Sequence, residues 1–431
     1  MEPSLMNTGD TAWMLVATAM VLVMTPGLAF FYAGMVRAKN VVSTLFQSLS
    51  AMAVVGVLWA VCGYSLVFSG DVGGLIGNFN WLLLGGVGME PHKTFGPTIP
   101  HTLFMSFQMM FAIITPALIT GAFAERINFK AWIPFMALWI VVVYCPIAHW
   151  VWGTGGWIAS LGALDFAGGL VVHMSSGFSA LAASLFLGKR HDFGRAPMKS
   201  FNIALVVLGT ALLTFGWFGF NAGSALAANG IAAQAFTNTF LACAASFFAW
   251  MMLDWTLGRP TLVGACVGTV AGLVAITPAA GYVGVPAALF IGLCAGLICN
   301  GAVRAFKKWF HVVDDTLDVF ACHGVGGLLG TILTGVFASP TINPAATSGL
   351  LYGETKMFFA NLTAAGVVAL FSFGMTAGLF LIIRMFVPLR VPHETEVEGL
   401  DSLHGEEILN FDEGYFARNL HTAGAKPETV R

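Results

Sequence analysis

Two histidines in apolar surroundings are the residues of this chain most able to do chemistry. His173 lies inside the stretch from Asp165 to Arg190, DFAGGLVVHMSSGFSALAASLFLGKR, and His323 lies in a second apolar run that begins after Asp318. An imidazole can hold or relay a proton near neutral pH, hydrogen-bond a small polar molecule, or ligate a metal. A single histidine on an apolar helix is more often a satisfied structural residue, although ionisable groups inside a membrane are costly. The pair weighs more because both members sit on one pattern. Three, four and seven residues beyond His173 stand Ser176, Gly177 and Ala180, and beyond His323 stand Gly326, Gly327 and Gly330. Small residues at that spacing let helices approach closely, so the pattern brings the two rings toward direct contact.

The elements that carry them are membrane helices. Of the 431 residues 57% are hydrophobic and 9% charged, whereas soluble domains carry about a quarter charged residues. The net charge of -2 offers no basic stripe, and no zinc or phosphate-loop spacing is present, which excludes nucleic acid as a partner. All seven cysteines lie in or beside apolar runs without paired spacing, and so read as packing residues rather than disulfides or metal ligands. Glu2 and Asp10 precede the first apolar run and no basic residue does, unlike a secretory signal peptide, so that run is expected to remain as a spanning helix.

A spanning helix needs about 20 apolar residues. Runs at 11–35, 40–68, 100–123, 131–150, 168–188, 200–223, 231–256, 261–278, 282–306, 319–338 and 354–387 meet or approach that length. This predicts an all-α polytopic membrane protein of eleven transmembrane helices. Lys and Arg gather on the cytoplasmic side. They follow spans one (Arg37, Lys39), three (Arg126, Lys130), five (Lys189, Arg190, Arg195, Lys199), seven (Arg259) and nine (Arg304, Lys307, Lys308), while the alternate loops hold Lys93 and Lys356. The amino terminus is therefore expected outside and the carboxyl terminus inside, with a membrane domain over 1–387. After Pro388 the acidic residues Glu394, Glu396, Glu398, Asp401, Glu406 and Glu407 mark a cytoplasmic tail over 388–431, a solvated end or a regulatory segment. Trp81, Trp150, Trp152 and Trp157 flank the spans in Gly-rich loops and read individually as interfacial anchors.

In this topology Asp165 precedes span five at its outer end and Asp318 precedes span ten at its inner end. The two histidine units are thus opposed, as in two inverted five-helix repeats followed by a final helix, a construction that places a site at the interface of the halves.

With these residues in place, the chain resembles the ammonium transporter family (Amt/Mep/Rh), in its Amt branch. The resemblance rests on the Asp165 to Arg190 stretch, Pro26-Gly27-Leu28-Ala29-Phe30-Phe31-Tyr32, Ala124-Glu125-Arg126, Trp217-Phe218-Gly219-Phe220-Asn221-Ala222-Gly223-Ser224 and Asp318-Val319-Phe320-Ala321-Cys322-His323-Gly324, and covers nearly the whole chain. It implies a homotrimer in the cell membrane with one narrow pore per subunit, transport of ammonium or ammonia, and no enzyme activity or cofactor. It implies that Phe111, Trp152 and Ser224 form an outer ammonium site and that Phe111 and Phe220 close the pore below it. His173 and His323 become the central pair, and Asp165, with Asp318 as its counterpart, a structural support. In the tail, Arg390-Val391-Pro392, Glu398-Gly399-Leu400-Asp401 and His404-Gly405-Glu406 are similar to the family's regulatory end, which implies a PII-type signal protein as cytoplasmic partner; Glu407 to Arg431 extends past the family pattern.

The residues agree with these implied roles. Phe111 lies about 15 Å along span three at the helical rise, and ring faces with a hydroxyl acceptor suit a cation that is losing water. Three other readings compete. A haem or metal redox enzyme would use both histidines as ligands, but no Cys or carboxylate accompanies them at metal spacing. An ammonium sensor would signal through the tail, and no kinase or cyclase sequence follows to Arg431. A passive gas channel would not need Trp152 and Ser224.

Overall fold

The computed structural model describes residues 6–195, 198–310 and 312–406. Within them, ten helices are long and apolar enough to cross a membrane: α1 (Thr8–Met35), α2 (Ala38–Phe68), α3 (His101–Ala122), α4 (Phe129–Leu161), α5 (Gly169–Leu187), α6 (Ile203–Gly223), α7 (Gly230–Leu257), α9 (Val285–Trp309), α10 (Phe320–Phe337) and α11 (Lys356–Ile383). The run at 261–278 departs from the expected full span. It forms the shorter apolar helix α8 (Leu262–Ile276), because the chain turns at 277–282 around Pro278. The protein is thus an all-α polytopic membrane protein.

Side-chain caps start several helices. The Asn7 carboxamide accepts from the backbone of Gly9 and Asp10, Asn202 from Ala204 and Leu205, and Thr261 from Gly264, which satisfies amide groups that a helix start leaves unpaired. Helix α1 packs along α6 through small residues. A side chain at Gly209 would meet the Phe31 backbone at 2.3 Å, and one at Gly34 would meet Val206 at 2.7 Å. Membrane helices associate by such backbone contact.

Helices α5 and α10 run in opposite directions. Arg190, just past the end of α5, bonds Asp314, just before α10. Asn343, beyond the end of α10, lines the same cavity as Asp165, before α5. The two helices cross where a side chain at Gly177 would meet the Gly324 nitrogen at 2.1 Å, as their stripes of small residues predict.

The tryptophans are not free anchors. Trp150 donates to the Leu75 carbonyl at 2.7 Å, and Trp81 stacks on Tyr64 with ring centroids 5.5 Å apart. The short hairpin β1 (Pro91–His92) and β2 (Gly96–Pro100) packs against that cluster, with His92 4.7 Å from His101 between ring centroids.

The tail has more structure than a solvated end. Helix α12 (His393–Glu398) leads into a turn where buried Asp401 accepts from the Val42 and Ser43 backbone at 3.0 and 2.8 Å. Buried Glu396 takes the His191 backbone N–H at 2.8 Å and pairs with Arg390 at 2.6 Å. The segment Glu407 to Arg431, singled out as an extension, lies outside the described residues.

Candidate functional site: two vestibules joined by a histidine pair

The site begins in a cavity of about 660 Å³ whose lining includes Gln108, Phe111, Trp152, Asp165 and Ser224. Three helices bring its sequence-predicted members together: Phe111 from the middle of α3, Trp152 where the continuous part of α4 ends, and Ser224 as the cap of α6. The Ser224 hydroxyl donates to the Phe220 carbonyl at 2.8 Å, so its remaining capacity is that of an acceptor. Trp152 spends its N–H on the Asp165 carbonyl at 3.0 Å, which leaves the ring face as its contribution.

Asp165 does not present its carboxylate to the cavity. Oδ1 accepts from Gly168 and Gly169, both at 2.7 Å, and Oδ2 from Leu170 at 2.8 Å and Val171 at 3.3 Å. These are the unpaired amides at the start of α5, so Asp165 closes that helix end while its carbonyl holds the Trp152 ring.

Below the cavity the aromatic rings form a continuous line. Phe111 meets Trp152 edge-on at 6.0 Å between centroids and stacks on Phe220 at 4.1 Å. Phe220 lies 6.0 Å from His173, and His173 lies 5.3 Å from His323. The stacked phenyls stand between the cavity and the histidines, which share a space of about 10 Å³ with Trp217, Val270 and Leu28.

The imidazoles face each other through Nδ1 atoms 3.3 Å apart. One Nδ1 must donate and the other accept, which fixes complementary tautomers: the donor ring exposes a bare Nε2 and the acceptor ring an Nε2–H. Nε2 of His173 is buried with no partner among the described residues. Two residues to which the sequence reading gave no role complete this centre. The Trp217 ring lies against His173 at 5.4 Å and is held by its N–H on Thr277 at 2.9 Å. Both histidines also lie in π-helical turns, Gly169–Met174 and Phe320–Gly324, whose wider coil re-aims a side chain and recurs at functional sites.

Beyond His323 a second vestibule of about 370 Å³ opens among Trp250, Asp254, Val267, Arg304, Lys307 and Asp318. Val263, Val267 and Val270 continue one face of α8 from this vestibule to the histidines. Asp318 is not the mate of Asp165. Its carboxylate pairs with Lys307 at 2.7 Å, and it is Asp315 that accepts the Phe320 backbone N–H at 2.6 Å at the start of α10. The nearest acid to the apolar run was matched, whereas the chain turns at Asp318, φ +59°, and reaches back to Asp315.

Around this mouth the loops share a partly buried charge network. Arg37 pairs with Glu125 and Asp192, and Arg190 pairs with Asp314 at 2.9 Å and approaches Glu125 at 3.5 Å. Burial pushes the Glu125 carboxyl up, but the Arg37 guanidinium and backbone N–H, with Arg190, more than offset this and hold it below its ordinary value. Asp314 is lowered in the same way by Arg190 and Arg126 against its burial. Among the described residues no group of three or more His, Cys, Asp or Glu is arranged to hold a metal.

Comparison with known proteins meets this geometry. The family model described as Ammonium Transporter Family matches residues 12–408. An ammonium transporter of Bacillus subtilis is 48% identical over 404 residues, 93% of this chain and 98% of the relative. The crystal structure of Candida albicans Mep2 superposes with a TM-score of 0.84 at 38% identity, covering 98% of this chain and 92% of that one. A structure titled Sensor Amt Protein gives 0.84 at 28% identity, covering 92% of this chain and 98% of that one. A match over nearly the whole chain, on a fold that joins two vestibules through paired histidines, means that this chain belongs to the ammonium transporter family, whose members are transporters rather than enzymes.

Proposed function

We propose that the chain carries ammonium across a cell membrane by capturing the cation in the Trp152 vestibule, removing its proton, and passing ammonia along the histidine pair. The observation that carries this reading is the unbroken line Trp152, Phe111, Phe220, His173, His323 between two open vestibules. Ring faces of Trp152 and Phe111 attract a desolvating cation, each worth about 1–2 kcal/mol, and the Ser224 oxygen accepts one of its N–H groups. Those contacts recruit ammonium but do not offset the cost of a bare charge beyond the stacked phenyls. Ammonia can both donate and accept, and the complementary Nε2 atoms of the histidine pair offer it one of each. Potassium has no proton to give up, so selectivity comes from deprotonation as much as from size.

In this reading the Trp152 vestibule faces outward and the Lys307 vestibule faces the cytoplasm, in line with the Lys and Arg bias of the loops. Residues 1–387 are the transport domain and 388–431 a regulatory tail. Exposed apolar side chains on α1 and α6 (Leu15, Phe215) and on α7 and α9 (Phe240, Phe290) suit lipid contact and packing in a homotrimer, and the docked tail suits a PII-type partner. Pull-down with the cognate PII protein across its nucleotide states tests that partnership; no binding in any state removes it.

Ammonium pulses applied to protein-containing liposomes test the transport reading. Flux into the vesicles is expected, and its absence in correctly inserted protein overturns it. Charge movement accompanying the flux shows that the proton crosses too, whereas flux without charge shows that it returns outside. The 28% identity to a structure titled Sensor Amt Protein favours a second reading, an ammonium sensor acting through its tail. A sensor would bind ammonium with no net flux in the same assay.

A further inference from the structure

A buried histidine that the transport reading leaves without a role stands close to Trp152 on α4. His149, one turn earlier on α4, has no exposed surface, and both its ring nitrogens face acceptors. Nδ1 lies 2.7 Å from the Val67 carbonyl oxygen, and Nε2 lies 3.0 Å from Oδ1 of Asp71. A neutral imidazole has one N–H. It can satisfy the carbonyl or the carboxylate, and the other contact then sets lone pair against lone pair. The two contacts together require one proton more than a neutral ring and an ionised acid contain. The hydrogen bond from His149 holds the Asp71 carboxyl below its ordinary range.

The pair fastens the loop at 69–78 to the turn that ends the continuous part of α4. Asp71 also accepts from Gly74 at 2.8 Å, the Gly74 carbonyl takes the Trp157 N–H at 3.3 Å, and Leu75 holds Trp150. The fit leaves no slack. A side chain at Gly153 would meet His149 Nδ1 at 2.4 Å, and one at Gly155, φ +86°, would meet Asp71 Cγ at 2.7 Å. The titratable groups on the elements packed around the ring are otherwise engaged or do not bond it. Tyr64 bonds His101, Cys145 faces the Gly63 carbonyl, His173 faces His323, the Asp165 carboxylate is filled by backbone amides, and the Tyr144 hydroxyl has no partner among the described residues.

We propose that His149 and Asp71 form a proton-dependent clasp that positions Trp152, so that a proton taken from the Trp152 side of the membrane tightens ammonium capture. Asp71 is part-exposed, which gives the proton a way in and out. With the proton bound, charge-assisted bonds hold the loop and the Trp152 turn in register. When it leaves, one bond becomes a repulsion and the turn loosens. His149 and Asp71 are positioning residues and do not touch the substrate. The inference rests on the reading of Trp152 as part of the capture site.

The test measures half-saturation for ammonium ion in liposomes while the pH on the Trp152 side is raised from about 5 to about 8, the range in which histidine titrates. The concentration of the ion, rather than of total ammonia, is held fixed. In the wild type the half-saturation value is expected to rise about tenfold, the effect of losing one charge-assisted hydrogen bond, with the maximal rate little changed. In Asp71→Asn the amide can donate to a neutral Nε2 without the extra proton, so the value becomes level with pH. Asp71→Ala raises it at every pH. An Asp71→Asn slope equal to that of the wild type overturns the proton dependence, and an Asp71→Ala value equal to that of the wild type overturns the positioning. Trp152→Leu separates the two readings: if it leaves half-saturation unchanged the capture site itself is wrong, and if it raises the value while both Asp71 variants behave as wild type the clasp alone is wrong.

Discussion

Asp165 and Asp315 stand eight residues before His173 and His323 respectively, and each accepts backbone N–H groups at the start of the helix that carries its histidine. The two halves therefore repeat a unit of acid, π-helical turn and imidazole in opposite directions. The units differ in how well the acid is satisfied. Asp165 has four amide donors, whereas Oδ1 of Asp315 is buried with no partner among the described residues.

That difference makes Asp315 sensitive to pH. Burial and then the neighbouring Asp318 lift its carboxyl from 3.8 to about 7. A raised carboxyl favours the neutral form in the fold, so its contribution is fully present below the ordinary aspartate value and is lost as pH rises through about 7. Asp315→Asn keeps an acceptor for Phe320 and carries no charge. Its thermal midpoint in detergent should stay level from about pH 4 to about pH 8 while that of the wild type falls by several degrees. Parallel curves would show that Asp315 is ionised throughout.

In the proposed capture site Trp152→Leu removes one desolvated cation–π contact, worth about 2 kcal/mol at most. Half-saturation for ammonium should rise about tenfold with the maximal rate nearly unchanged, because the lost contact acts before the proton is removed. A fall in maximal rate at unchanged half-saturation would place Trp152 outside the capture step.

His323→Ala takes away the partner of His173 Nδ1 and enlarges the space between the vestibules. Ammonium flux should drop about tenfold, the cost of one buried hydrogen bond, and discrimination against potassium should weaken. Paired liposome measurements with the two ions check this. Wild-type values for both would remove the pair from the mechanism.

Arg190→Ala leaves the fully buried Asp314 carboxylate unpaired and weakens the field on Glu125. Breaking a buried pair from one side costs about 3–5 kcal/mol, so the thermal midpoint should fall by several degrees near neutral pH. Both carboxyls are held low in the fold, so their contribution is present above the ordinary carboxylate range and is lost as pH falls through their lowered values. The gap between variant and wild type should accordingly narrow in acid. A constant gap would assign the loss to packing instead of charge.

Much of this architecture was legible because its signals are local. Apolar runs placed the helices, and the small residues beside His173 and His323 announced a close crossing, which Gly177 and Gly324 realise. What escaped depends on partners far along the chain. The Trp217 ring on His173 is separated from it by most of α5, a loop and most of α6, and the Asp71 carboxylate meets a histidine 78 residues away. The Asp315 spacing was visible in principle, but Asp318 lies closer to the apolar run and drew the match. The π-helical turns leave no periodicity of their own in a run that is apolar on every side. The charge of the tail suits a solvated end or a regulatory segment and does not show that Glu396 and Asp401 are buried, where backbone amides and Arg390 receive them.

The space of about 10 Å³ around His173 and His323 has an osmotic consequence. A cavity needs roughly 10–15 Å³ of this kind to house one water molecule, so the middle of the path admits a single small molecule and no column of liquid. A solute gradient across the membrane is then expected to drive no bulk flow through the protein. Stopped-flow shrinkage of liposomes should be as slow with the protein as without it.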